Sequence, residues 1–203
     1  MPMKWIYWFG WMTFGAAFRS LFGLRITGAE HLVTEGAVLV AANHQSYLDP
    51  PLVSALYQDE MYYLARKTLF TGVTRWLYSR WNAIPVDQDR PDMASLKTII
   101  RKLKDGHRVL VFPEGARTHD GEFGEPAPGI GLIAVKSGAL IQPVRISGAR
   151  DALPRGSGRI RRARITLAVG PPIRLSPEEL VAAKAKDGYE RIARRIMAAV
   201  AAL

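Results

Sequence analysis

Two short stretches of the chain hold residue types that can do chemistry together. The first, Asn43-His44-Gln45-Ser46-Tyr47-Leu48-Asp49, sets a carboxylate five residues after a histidine. On a helix that offset is ~140°, so the two side chains meet only if the stretch is a loop that curls back. The carboxylate then accepts from Nδ1–H and leaves Nε2 to take a proton from a hydroxyl. By itself the spacing fits a turn or cap more readily than a catalytic pair. The second stretch is Phe112-Pro113-Glu114-Gly115-Ala116-Arg117-Thr118. Gly115 lets the backbone approach a ligand, and Arg117 offers a planar fork matched to phosphate oxygens. Glu114 can hold that guanidinium or accept from a substrate hydroxyl; a surface turn with a local Glu–Arg pair is the plainer reading. Together the two stretches describe a base and a phosphate clamp with no protein nucleophile. That chemistry is direct attack by a substrate alcohol on an activated acyl group, with backbone N–H groups near Gly115 as candidate oxyanion donors.

Both stretches must be held at the ends of strands. Residues 37–42 (AVLVAA) are a continuous apolar run of buried-strand type and 108–112 (RVLVF) are the next buried strand, and each leads straight into one of the loops. Further strands are expected at 24–26, 61–65, 83–86, 140–146 and 164–169. Helices alternate with them. Pro50-Pro51 opens one carrying Leu52, Val53, Leu56 and Tyr57. Residues 71–81 form a second, and Asp92 caps a third with Leu96, Ile99, Ile100 and Leu103 on one face, ended by Gly106. Another covers 129–137. The capping box Ser176-Pro177-Glu178-Glu179 starts a C-terminal helical region, interrupted near Asp187-Gly188 and apolar at Tyr189, Ile192, Ile196 and Val200. This order predicts an α/β fold, a mostly parallel or mixed central sheet covered by helices on both faces. Ligands of such sheets bind at the carboxyl ends of the strands, where both loops lie.

Composition narrows the class. An apolar fraction of 48% in 203 residues supports a real core, and a formal charge of +10 calls for anionic partners. The absence of cysteine removes disulfides and thiolate nucleophiles. His31, His44, His107 and His119 lack ligand spacing, so no metal is expected. Residues 5–18 (WIYWFGWMTFGAAF) carry no charge, and Lys4 and Arg19 flank them. As a helix they span ~21 Å, short of the ~30 Å hydrocarbon core. Their seven aromatic residues suit the headgroup level of a bilayer, which we favour over a helix simply packed on the domain. The expected plan is residues 1–23 as a membrane-associating helical segment and 24–203 as the α/β domain. Arg145, Arg150, Arg155, Arg159, Arg161, Arg162 and Arg164 form a basic stretch that faces anionic lipid, docks an acidic carrier protein, or protects a solvated edge.

With these residues in view, Asn43-His44-x4-Asp49 followed by Phe112-Pro113-Glu114-Gly115-x-Arg117 resembles the glycerolipid acyltransferase family that includes the 1-acylglycerol-3-phosphate acyltransferases. Arg66-Lys67-x-Leu69-Phe70 through Ala83-Ile84-Pro85-Val86-Asp87 looks like its second block, and Ile141-Gln142-Pro143-Val144 like its fourth. The blocks span roughly residues 25 to 148, in the family's order. The resemblance implies His44 as general base, Asp49 as its orienting partner, and Glu114, Gly115 and Arg117 as the glycerol-phosphate group. It adds Arg66 and Lys67 as phosphate contacts and Pro143 and Val144 as an acyl region. Two positions depart from the pattern. Ala116 stands where the family has threonine, and Gln88 where it has a basic residue, with Arg90 two residues later as the substitute.

The implied reaction moves a fatty acyl group from acyl-CoA or acyl carrier protein to the sn-2 hydroxyl of 1-acylglycerol 3-phosphate, giving phosphatidic acid. No cofactor is implied. The bilayer, a lysophospholipid acceptor and the acyl carrier protein are the expected partners, at the cytoplasmic face of the inner membrane. Other lysolipid acceptors, thioester hydrolysis and a catalytically silent membrane-surface lipid-binding protein are the alternatives. Nucleic-acid binding is disfavoured, because the aromatics gather at the N-terminus instead of interleaving with the arginines.

Overall fold

Strand β2 (Val38–Ala42) is wholly apolar because both of its faces are covered. Val38, Val40 and Ala42 point to one side and Leu39 and Ala41 to the other, all with no solvent exposure. A computed structural model describes residues 5–87, 93–118, 122–154 and 156–203. Arg90, the expected cap Asp92, His119 and Arg155 lie outside the described residues.

Around β2 stand β1 (Arg25–Thr27), β3 (Met61–Arg66), β4 (Ala83–Val86), β5 (Arg108–Val111), β6 (Leu140–Ser147) and β7 (Thr166–Val169). They form one sheet in the order β1-β7-β6-β2-β5-β3-β4. The five strands from β6 to β4 are mutually parallel. β7 is antiparallel to β6 and parallel to β1, so this pair runs against the rest. The expectation of a mostly parallel, mixed sheet between helices holds. Ala41 pairs with Val111 across β2 and β5, which puts the loops leaving these two strands side by side.

One face of the sheet carries α1 (Trp5–Phe22) and α2 (Asp49–Ser54), whose Phe18, Phe22, Leu52 and Val53 pack on Val40, Leu110, Val144 and Ile146. Helix α3 (Gly72–Arg80) joins β3 to β4. The opposite face carries α4 (Met93–Lys104), α5 (Pro128–Ser137) and, after the short α6 (Ala149–Ala152) and α7 (Pro177–Ala182), the C-terminal α8 (Gly188–Ala201). Ile99, Leu103, Ile130, Ile133, Ile192, Ile196 and Val200 close this second layer, each buried chain contributing roughly 1.5–3 kcal/mol. Helices α5 and α8 meet closely at Gly131, where a Cβ would stand 2.0 Å from the Tyr189 carbonyl oxygen. Only glycine fits there.

Helix α1 has two faces. Tyr7, Phe18 and Phe22 are buried, and the Tyr7 hydroxyl accepts the Met61 N–H at 3.0 Å. Trp5, Trp8, Phe9, Met12 and Leu21 are exposed, Trp5 by 73%. Among the described residues no helix is long and apolar enough to cross a membrane. The aromatic segment is therefore packed on the domain along one side and open along the other, so the packed-helix reading accounts for only part of its surface.

Candidate active site

The strand that delivers the histidine ends in a side-chain splice. Asn43, buried just past β2, donates from Nδ2 to the Ile146 carbonyl at 2.9 Å and accepts the Ile146 N–H on Oδ1 at 2.7 Å. Its amide stands in for one more backbone pairing with β6 and frees the chain to turn away. The loop then curls as the His-x4-Asp spacing requires. His44 Nδ1 lies 2.7 Å from Oδ2 of Asp49, the first residue of α2. The same oxygen accepts the N–H groups of Gln45 at 2.6 Å and Ser46 at 2.7 Å. Three donors on one oxygen favour the ionised carboxylate and assign the ring proton to Nδ1, leaving Nε2 as the basic nitrogen. Asp49 is fully buried, and its other oxygen, Oδ1, has no partner. The His44 side chain keeps 15% of its surface open, enough to meet a substrate.

The second loop holds the ring from the other side. Phe112, the first residue past β5, stacks on His44 with centroids 3.9 Å apart and planes 10° from parallel. Glu114 turns inward, and its Oε1 accepts the His44 N–H at 3.2 Å. Thr118 N–H donates to the His44 carbonyl at 3.1 Å, so the two loops are tied on both sides of the histidine. Burial pushes the Glu114 carboxyl up to about 7, and the nearby Asp49 charge adds to the rise, against the lowering effect of the His44 and Gly124 N–H groups. Gly115 turns the loop with φ +69, a conformation that side chains resist. Its N–H donates to the Phe112 carbonyl at 3.1 Å, so the turn already uses this candidate oxyanion donor. Arg117 lies over Tyr47, its guanidinium carbon 3.7 Å from the ring centroid, a cation–π contact that helps to hold the fork in place.

Between His44 and α1 lies a cavity of about 450 Å³. His44, Arg66, Phe112, Ala116 and Arg117 line it together with Gly10, Trp11 and Phe14 of α1, Tyr63 of β3, Tyr78 of α3 and Trp81. Such a chamber, apolar over much of its wall and carrying a base and two guanidiniums, suits an acyl chain with a polar head.

Most of the expected residues converge here. His44, Asp49, Glu114, Gly115, Arg66 and Arg117 belong to the two loops or the cavity wall. Three others are not brought to it. Lys67 lines a separate groove of about 670 Å³ with Tyr62, Arg75 and Lys102. Pro143 and Val144 are buried within β6, paired with Ala41 and Ala42 of β2, and do not line the cavity. The apolar lining comes instead from α1, β3 and α3. Sequence reading missed Phe112 as a ring partner and Trp11, Tyr78 and Trp81 as walls. A signal for Phe112 existed, because a residue that follows one buried strand meets the loop of its neighbour once the two are paired.

The Acyltransferase family model matches residues 23–147, which include both loops. The chain is similar to the chloroplastic 1-acyl-sn-glycerol-3-phosphate acyltransferase LPAT1 of Arabidopsis thaliana, 26% identical over 168 residues, covering 81% of this chain and 47% of that protein. It is also similar to the 1-acyl-sn-glycerol-3-phosphate acyltransferase of Bacillus subtilis (strain 168), 28% identical over 158 residues and covering 74% of each. Among solved structures, the 1-acyl-sn-glycerophosphate acyltransferase PlsC of Thermotoga maritima superposes with a TM-score of 0.75 at 26% identity, over 98% of this chain and 78% of that one. The chain spans about half the length of the first curated relatives it matches.

Proposed function

Because this chain belongs to the Acyltransferase family, we propose that it acylates the sn-2 hydroxyl of 1-acylglycerol 3-phosphate from acyl-CoA or acyl carrier protein, yielding phosphatidic acid. The observation that carries the reading is the 2.7 Å contact between His44 Nδ1 and Asp49 at the edge of a cavity able to take an acyl chain. In the proposed step, Nε2 of His44 removes the acceptor hydroxyl proton while the oxygen attacks the thioester carbonyl. The tetrahedral intermediate collapses, the C–S bond breaks, and the imidazolium returns the proton to the departing thiolate. Asp49 stabilises the imidazolium formed on the way. Arg117, oriented by Tyr47, and Arg66 hold the acceptor phosphate, with Arg90 as a further phosphate contact. Glu114 and Gly115 shape the loop that carries Arg117. Pro143 and Val144 take no direct part and serve the core of β6.

The exposed aromatic side of α1 is the membrane-associating element. Residues 24–203 are the catalytic domain, seated at the cytoplasmic face of the inner membrane. The test is transfer by purified protein in mixed micelles, with radiolabelled acyl-CoA and acyl carrier protein against a panel of lysophospholipids. Phosphatidic acid should form, and His44→Ala should lower the rate by about 10²–10⁴. Undiminished transfer by that variant refutes the base. Thioester loss that ignores the lysolipid makes the protein a hydrolase.

A further inference from the structure

Helix α3 contains no buried residue. A helix on a water-soluble surface normally turns its apolar residues inward, yet Val73 is 82% exposed and Trp76 53% exposed. They are three residues apart and share one face. Residues 71–81 include no acid, and the Arg80 guanidinium lies 5.6 Å from the centre of the Trp76 ring. The groove of about 670 Å³ beside the helix adds Lys67, Arg75 and Lys102. At its other end α3 meets the cavity, where Trp81 stands edge-on to Phe14 of α1 at 5.6 Å.

We infer that α3 is a second membrane-docking element: Val73 and Trp76 enter the interfacial layer while Arg75, Arg80 and the basic groove meet anionic headgroups. The occupant follows from charge. An apolar pair rimmed by cations, in a chain of net charge +10, matches a bilayer carrying anionic lipid. A second copy of the chain would set like charges against each other. Trp76 supplies the amphipathic ring that settles at headgroup level, and the arginines remain in the polar layer. Docked through both α1 and α3, the protein presents to the bilayer the two helices that wall the His44 cavity. The inference takes from the proposed function only that the substrates are lipids, and its test reads docking separately from transfer.

A chain without cysteine accepts a single reporter cleanly. Val73→Cys carries an environment-sensitive nitrobenzoxadiazole dye, and so does the control Val181→Cys. Val181 is 67% exposed on α7, whose following residue Ala183 packs on the opposite sheet face. Vesicles of phosphatidylglycerol and phosphatidylcholine should shift the dye at 73 to shorter wavelength and brighten it, leaving the dye at 181 in water. Val73→Glu combined with Trp76→Ser should lower partitioning into these vesicles by about tenfold or more, with an unchanged melting temperature and unchanged transfer in detergent micelles. An unshifted dye at 73 on vesicle-bound protein overturns the inference and leaves α1 as the anchor. Equal shifts at 73 and 181, or a shift at 73 that needs only higher protein concentration, overturn it in favour of adsorption or self-association. Loss of micellar transfer in every form would instead count against the proposed function.

Discussion

Asp49→Asn tests the base and its support together, and the structure sets the size of both effects. The wild-type Oδ2 accepts from His44, Gln45 and Ser46, and Oδ1 accepts from nothing. The two backbone donors therefore oblige the asparagine to put its carbonyl at the Oδ2 position and its amide group at the unpartnered Oδ1 position. Three charge-assisted bonds become neutral ones, each losing roughly 1 kcal/mol, and the buried N–H donors without an acceptor cost about 1–3 kcal/mol more. Relief of a desolvated charge offsets part of this, for a net loss of about 2–4 kcal/mol. In a chain of this length that is a fall of about 5–15 °C in Tm. Because the carbonyl still accepts from Nδ1–H, the ring keeps its tautomer, and only the stabilisation of the imidazolium is lost. The fall in kcat should lie at the low end of the general-base range, about 10². Thiol release from acyl-CoA in micelles gives kcat, and thermal unfolding monitored by circular dichroism gives Tm. A kcat within threefold of wild type would remove Asp49 from the mechanism. An unchanged Tm would mean that the Gln45 and Ser46 N–H groups do not depend on the charge.

Glu114→Gln should change how stability depends on pH. The folded carboxyl titrates at about 7 against an ordinary value of 4.5, so the folded state holds a proton that the unfolded chain releases. The resulting penalty is absent below pH 4.5 and complete above 7, worth about 1 kcal/mol once partial exposure is allowed for. The variant should therefore gain on wild type between pH 5 and 8, and a pH-independent difference in Tm rejects the assignment. Arg117→Lys loses both the planar fork and the stack on Tyr47, so KM for the lysolipid should rise about tenfold with KM for the donor unchanged. Equal rises in both would deny it the phosphate. Phe18→Ala opens the layer beneath α1 and should cost about 3–5 kcal/mol in urea denaturation, whereas a loss under 1 kcal/mol would show that α1 is only loosely attached.

What the sequence disclosed and what it withheld divide along physical lines. Residues 37–42 and 109–112 are apolar at every position because both sheet faces are covered, and the loops after them announce themselves by residue type. The C-terminal helix break expected near Asp187-Gly188 falls between α7 and α8, since the capping box and the glycine are local signals. Non-local facts were hidden. The Phe112 ring against His44 follows only once β5 is known to pair with β2, and the spacing does not state that pairing. Lys67 directly follows Arg66, yet the two line different depressions, because the chain leaves β3 between them. Pro143 and Val144 were drawn to the acyl region by resemblance, but β6 is an interior strand and both residues are spent on the core. The aromatic N-terminus carried two signals at once, and only coordinates separate the residues that wall the cavity from those left outside.

The amide splice at Asn43 decides which half of the cleft can adapt. Two hydrogen bonds to one residue of β6 fix the point at which the chain leaves the sheet, and the Asp49 carboxylate locks the loop six residues on. The imidazole thus stands like an anvil, at a height that no lipid can adjust. Accommodation of longer, shorter or bulkier substrates falls to the Gly115 turn and to the two outer helices. Variants that widen the substrate range should accumulate on that opposing side, with the histidine loop left untouched.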